Sequence, residues 1–416
     1  MRPSDISEIK RLYKTDPERC NIDRISGCYV DADKNLVTHF SSGFLILPEE
    51  EQFKYLELFR KVLSGTRDKN LLLLEPRTVH RDDHSGDMRG DEVKLLQELV
   101  QTGLKDDEVN DRFYRKVIEN YSYVDNFLIL LAHQNYDIPG KTNDELDLED
   151  ASEEVYSHIL CAICPVKSTK PGLGYVADDR AFHNLPLGRV VDLPMNGFLY
   201  PAFIQRSADY DYVLYFTKDT VDIRPQFADG VLGSNTPLGA SDQKDVFSEL
   251  LTEALGEEGD LSTILGIHEG LKTLVDEKKT EQESPVIDKE KLGELLRSNG
   301  LEENRIKAME ERFDTAFRRS PNESVAETAT TEEVTSEEQE NTALRSYPEE
   351  VPIEERIFVA SNLVPSRSIE VKNQDFTIKI NTNRTELLET KVVDGRKCLL
   401  IRLEDGVSVN GIPIQM

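Results

Sequence analysis

The sequence predicts an α+β fold: a mixed, largely antiparallel sheet core with flanking helices, a helical middle region and a small C-terminal β-meander domain. Three observations carry that reading. Five β-rich runs lie between Asn126 and Thr217, several of them too continuously apolar to be exposed on either face. The connections between them are short and rich in turn residues, which favours antiparallel neighbours over helical crossovers. Amphipathic stretches with helical spacing bracket the runs on both sides.

In chain order, Asp5 with Glu8 three residues later has capping-box spacing and predicts a short helix to Lys14. Ile25–Val30 and Leu36–Phe40, parted by the polar turn 31–35, read as a hairpin. Pro48 stands where a helix can start, and Phe53, Leu56, Phe59 and Leu63 follow at helical spacing until Gly65. Two more helices are expected at Glu92–Val100 and Asp107–Tyr121. The strand candidates are Asn126–Gln134, Val155–Val166, Arg189–Leu193, Phe198–Gln205 and Asp211–Thr217, with turns at Pro139-Gly140, 171–174 and 194–197. Helices return at Gln243–Leu255, Ser262–Lys278, Lys289–Ser298 and Glu303–Arg318. Asp394-Gly395, Asp405-Gly406 and Asn410-Gly411, each between β-branched runs, are hairpin signals. The expected organisation is therefore an α+β core over 1–238, a helical region over 239–319, a disordered acidic linker over 320–350 and a small β domain over 351–416.

Composition limits function. The 416 residues carry 50 Lys and Arg against 79 Asp and Glu, a net charge of −29. The longest apolar runs fall far short of the ~18 residues that span a bilayer. Met1–Glu8 lacks the apolar stretch of an export signal, and five cysteines, an odd number thinly spread, fit a reducing compartment. The expectation is a cytoplasmic protein with no membrane partner.

Four residues are candidates for chemistry. His133 and Asp137, just beyond the apolar run Phe127–Ala132, could serve as base and orienting partner, although no nucleophile accompanies them in the sequence. Cys161 and Cys164 have the spacing of a metal or thiol-exchange pair, but inside a strand side chains three apart point to opposite faces, which favours packing. A four-cysteine site adding Cys20 and Cys28 has the wrong spacing for a zinc knuckle. His80, His84 and Asp87 read as a solvated polar loop. Gly172-Leu-Gly174 lacks the context of a nucleotide-binding turn. No cofactor and no metal site is implied.

The segments Cys20–Val30, Leu63–Thr66, Tyr136–Thr142, Ile159–Lys167, Lys170–Leu173, Asp192–Phe198 and Val393–Cys398 together resemble a bacterial family catalogued as a domain of unknown function, family 4317. The resemblance runs over nearly the whole chain and implies no activity. A remoter similarity, carried by Tyr212–Lys218, Val231-Leu-Gly233 and Gln243 heading the next helix, is to bacterial nucleoid-associated proteins. The sequence thus favours a non-enzymatic protein acting through an unknown protein partner or nucleoprotein contacts. An enzyme with a site near His133 and Asp137 is the alternative.

Direct DNA binding by the isolated chain is disfavoured. From Arg356 to Met416 there are nine Lys and Arg against seven Asp and Glu, a basic excess of only +2. With a salt slope of roughly −0.9 per phosphate contact, the two or three contacts this allows are lost at physiological salt. Fluorescence anisotropy with duplex DNA at physiological ionic strength should show no binding by the full chain; micromolar or tighter association that weakens steeply with salt would contradict this.

Overall fold

Two strands that are apolar on both sides set the architecture. Such strands must be covered on both faces, and in this protein helices cover both. The computed structural model describes residues 1–13, 21–79, 88–141, 147–176, 179–185, 188–256, 261–278, 285–316, 357–364, 368–403, 408–409 and 412–413. The chain divides into two units, Met1–Gly239 and Ala240–Met416.

The first unit runs α1 (Pro3–Leu12), β1 (Ile22–Val30), β2 (Leu36–Gly43), α2 (Glu49–Val62), β3 (Leu71–Leu74), β4 (Thr78–Val79), β5 (Met88–Arg89), α3 (Asp91–Thr102), α4 (Asp107–Asn120), β6 (Phe127–Lys141), β7 (Asp147–Ser168), β8 (Gly172–Val176), β9 (Ala181–Leu185), β10 (Arg189–Val191), β11 (Asn196–Tyr200), β12 (Ala202–Ile204), β13 (Ser207–Asp209), β14 (Val213–Thr217) and α5 (Pro225–Leu232). Its main sheet has the order β2-β1-β6-β7-β11-β14-β3, with β10 paired to the end of β7. Every ladder in it is antiparallel. The α+β expectation holds.

Alternation along the central strands divides the core in two. Ile129 and Leu131 of β6, with Ile159, Cys161 and Ile163 of β7, pack against Leu96, Leu99, Phe113, Val117 and Phe227 from α3, α4 and α5. The intervening Leu130, Ala132, Leu160, Ala162 and Cys164 face Ile6, Ile9, Leu56, Phe59 and Val62 from α1 and α2. Between the sheet and α5 a buried hydrogen-bond chain ties three elements together: Tyr121 Oη donates to Asn196 Oδ1 (2.8 Å), and Asn196 Nδ2 donates to Tyr215 Oη (2.8 Å), which donates to the Ile223 carbonyl (2.9 Å).

Local chemistry explains most element boundaries. α4 starts where Asp106 accepts hydrogen bonds from the amides of Glu108 and Val109. α1 begins earlier than expected: Pro3 opens it, and Asp5 is its third residue, accepting from the Arg2 amide at 2.7 Å, and does not cap it. Pro139-Gly140 is not a turn. It lies inside β6, at register shifts that accommodate a residue without an N–H, and the β6–β7 ladder continues to Lys141 and Asp147. Gly172 likewise opens β8, where a turn was expected. The expected strand Phe198–Gln205 is two strands, parted at the cis Tyr200–Pro201 peptide bond. The four leucines of β3 and helix α5 are not among the sequence-derived elements.

The second unit comprises α6 (Ala240–Leu255), α7 (Leu261–Lys278), β15 (Val286–Ile287), α8 (Lys289–Ser298), α9 (Glu303–Ala316), β16 (Phe358–Val359), α10 (Ala360–Leu363), β17 (Ser368–Lys372), β18 (Thr377–Asn381), β19 (Leu388–Val393), β20 (Arg396–Ile401), β21 (Ser408–Val409) and β22 (Ile412–Pro413). Phe358 is fully buried, edge-on to Phe247 and Phe313 at 5.7 and 5.6 Å. The β19–β20 hairpin turns at Asp394 and Gly395, both at positive φ, as a two-residue turn matched to the strand twist requires. The expected linker over 320–350 and the Asp405-Gly406 and Asn410-Gly411 dipeptides lie outside the described residues.

Gly197 of β11 is closely walled by β7 and α2: a Cβ there would stand 2.4 Å from the Cys161 carbonyl oxygen and 2.9 Å from both methyl groups of Val62. Gly197→Ala is expected to cost about 1–3 kcal/mol by overpacking, whereas Gly172→Ala, with nothing within 4 Å, should stay within about 0.5 kcal/mol of wild type. Urea midpoints of the two variants check this.

Candidate functional site

The long β6–β7 hairpin extends past the helices that cover the face of Cys161, and at that limit three strands converge on His133. Arg24 of β1 pairs with His133 and Ile22 with Gln134, so the register skips Asp23. This bulge turns the Asp23 carboxylate towards the imidazole. Asp23 Oδ2 lies 3.1 Å from His133 Nδ1, within ion-pair distance, and accepts a hydrogen bond from Asn135 Nδ2 at 2.6 Å. On the other side of the ring, Ser157 Oγ is 3.0 Å from Nε2. Ser157 pairs with Asn135 in the ladder, so Asn135, Asp23, His133 and Ser157 form one connected polar chain.

The ring is 5% exposed, and its cover comes from the end of α3. Gly103, the left-handed cap of that helix, approaches so closely that a Cβ would stand 3.4 Å from Nδ1 and Cε1. Burial lowers the pKa of His133; the Asp23 charge and the Val100 carbonyl oppose that shift, and Lys105 adds to it, while Nδ1 itself makes no hydrogen bond of good geometry among the described residues. The imidazole is therefore neutral at pH 7, with a carboxylate facing one nitrogen and a hydroxyl facing the other.

The remaining sequence candidates fall elsewhere. Asp137 is exposed, paired in register with Val155, and four strand residues from His133 span about 13 Å along β6. The orienting carboxylate is Asp23 in its place, and a hydroxyl that the sequence reading did not pair with His133 is present in Ser157. Nothing in the sequence marks either one, because a bulge and a cross-strand register bring them in. Cys161 and Cys164 point to opposite faces, each completely buried in its own core. Burial pushes both thiols well above their ordinary pKa, and pushes Cys28 up to about 12, so none of the three is a thiolate at neutral pH. Among the described residues no group of three or more His, Cys, Asp or Glu is placed to hold a metal ion. Cys20 and the His80–Asp87 segment lie outside the described residues.

A second histidine lies on the opposite face. His158 is fully buried, stacked on Tyr156 at 4.5 Å, with Nε2 2.9 Å from Tyr13 Oη. Its neighbour across the ladder, Gln134, is fully buried, and among the described residues neither of its amide atoms has a hydrogen-bond partner.

A family model described as Domain of unknown function (DUF4317) matches residues 1–341 and 330–412. The chain belongs to this family. The search of curated proteins finds no match. The DUF4317 match therefore carries no assigned reaction to this chain, and function must be read from its surfaces and sites.

Two surface features lie apart from the histidines. The β8–β9 hairpin pairs Tyr175 with Phe182 and Leu173 with Asn184, so Leu173, Tyr175 and Phe182 share one face. They are 76%, 56% and 66% exposed, and the two rings meet edge-on at 5.5 Å. In the second unit, a cleft of about 120 Å³ is lined by residues including His268, Glu269, Lys272, Asn383 and Glu386.

Burial lowers the pKa of His158 to about 3. In the unfolded chain the same ring protonates near 6.5. The unfolded state therefore binds the extra proton between those values, and His158 alone should remove about 1.4 kcal/mol of stability per unit as pH falls below 6.5. Urea titrations between pH 7 and 4 should show the His158→Leu variant less pH-dependent than wild type by that slope; parallel curves would show that His158 is not held neutral by the fold.

Proposed function

We propose that this protein acts in the cytoplasm by binding another protein through the outer face of the β8–β9 hairpin. The observation that supports this reading is the exposure of Leu173, Tyr175 and Phe182 on one face of a two-stranded projection. Solvated aromatic residues on an isolated hairpin cost free energy unless a partner covers them, and tyrosine is among the residues that dominate interface energetics. Val190 of β10, 56% exposed, extends the apolar surface available in the strand that follows.

Charge defines the partner further. Lys167 to Arg189 contains four Lys and Arg against two Asp, and with Lys167 paired to Asp192 a small basic excess remains in a chain of −29. Lys170 and Arg180 are both exposed. The complementary surface is an apolar pocket ringed by carboxylates, which favours a protein over a nucleic acid for this contact. Any association with the nucleoid would then pass through that partner, consistent with the charge argument against direct DNA binding.

Placing a photoreactive amino acid at Leu173 of the full chain in living cells should yield a discrete crosslinked protein, absent when the probe is at Val124, an unrelated and 91% exposed position. The double variant Tyr175→Ser/Phe182→Ser should weaken the contact by about tenfold or more and abolish the crosslink with unchanged thermal unfolding. A crosslink that survives the double variant, or none at Leu173, overturns the proposal.

A further inference from the structure

We propose that Ser157 is an activated nucleophile for acyl transfer from small esters, with His133 as its general base and Asp23 as the residue that positions the imidazole. This goes beyond the binding function of the hairpin and does not depend on it.

The geometry supplies what such a relay needs. Nucleophile, base and orienting carboxylate stand in sequence, Ser157 Oγ at 3.0 Å from Nε2 and Asp23 Oδ2 at 3.1 Å from Nδ1. Nδ1 makes no hydrogen bond of its own among the described residues, so Asp23 acts on it through charge at 3.1 Å; a negative charge there favours the proton on that nitrogen, which leaves the Nε2 lone pair to accept the Ser157 hydroxyl. The parts are held from independent directions. Gly103 packs over the ring, Asn135 donates to Asp23, and the β6–β7 ladder fixes Ser157. The buried ring has little freedom, while Ser157 is only partly buried and the Asp23 side chain is 47% exposed. Fixed base and accessible nucleophile are the two halves of a preorganised site.

The chemistry balances without any further reagent than water. Ser157 Oγ bonds to the carbonyl carbon of an ester as its proton passes to His133 Nε2. Collapse of the tetrahedral adduct breaks the bond to the leaving oxygen, which takes that proton from Nε2 and departs as an alcohol or phenol. Water, deprotonated by the same nitrogen, then attacks the Ser157 ester, and the proton returns to Ser157 Oγ as the carboxylic acid leaves. Because Ser157 is partly buried on a sheet face within β7, the substrates it fits are small, activated acyl esters.

The full chain is treated with a biotinylated fluorophosphonate, and in parallel with p-nitrophenyl acetate. One adduct per chain is expected, mapped to the peptide bearing Ser157 and absent from Ser157→Ala. His133→Gln should slow labelling by at least about a hundredfold, the range of general-base contributions. Asp23→Asn, at a half-exposed position that the fold tolerates, should lower the maximal rate of p-nitrophenol release at least about tenfold with little change in the ester concentration giving half that rate. A carboxylate with a merely structural role would not move that rate while thermal unfolding stays unchanged. Absence of labelling at Ser157, labelling that persists in Ser157→Ala, or equal release rates in wild type and Asp23→Asn would each overturn the proposal.

Discussion

The constraint on which the first unit depends is the demand of β6 and β7 for cover on both faces. A strand whose successive residues are Ile159, Leu160, Cys161, Ala162, Ile163 and Cys164 has no side it can show to water. Helices α1 and α2 meet one demand, and α3, α4 and α5 meet the other. Most antiparallel sheets leave one face wet, so the double cover is what makes this one a central layer. The same requirement places the polar groups. Where the helices stop, the alternating face that carried Leu131 and Ile159 continues as His133, Asn135 and Ser157, and chemistry becomes possible at the edge of the core.

How much of this was legible in the sequence follows from what each signal depends on. Continuous apolar runs announced the central strands, and Pro48 and the Asp394-Gly395 turn announced their neighbours, because those signals are local. β3 was not, since four leucines have no period that separates strand from helix. Pro139-Gly140 misled because a proline at a register shift costs the ladder nothing, and its local chemistry is the same as that of a turn. His133 was found as the polar residue ending an apolar run, yet its partner was assigned to the wrong aspartate. A spacing of four residues brings side chains together on a helix and holds them apart on a strand. Asp23 and Ser157 lie 110 and 24 positions from it and reach it through a bulge and a register, neither of which has a signature in one sequence.

The two histidines show how position along a single strand pair divides roles. His158 and His133 occupy opposite faces, and both are held neutral by burial. His158 meets a tyrosine hydroxyl and an aromatic stack deep beneath α1, where no solvent reaches it. His133 meets a carboxylate and a serine hydroxyl at the limit of the opposite layer. Desolvation dominates in both, but only at His133 does a nearby negative charge work against it, and only there is the neighbouring hydroxyl within reach of solvent.

The strand order has a consequence for how the protein is made. β1 completes its ladder only with β6, about a hundred residues later, and β3 finds its neighbour only in β14, across Leu71–Phe216 and its adjacent pairs. On the ribosome, at roughly 5–20 residues per second, the leucines of β3 therefore emerge many seconds before the strand that shields them. Sheets closed by such distant pairings also fold slowly once complete, because loop closure precedes the contacts that reward it. The early strands of this unit thus spend their first moments as an apolar, half-finished edge.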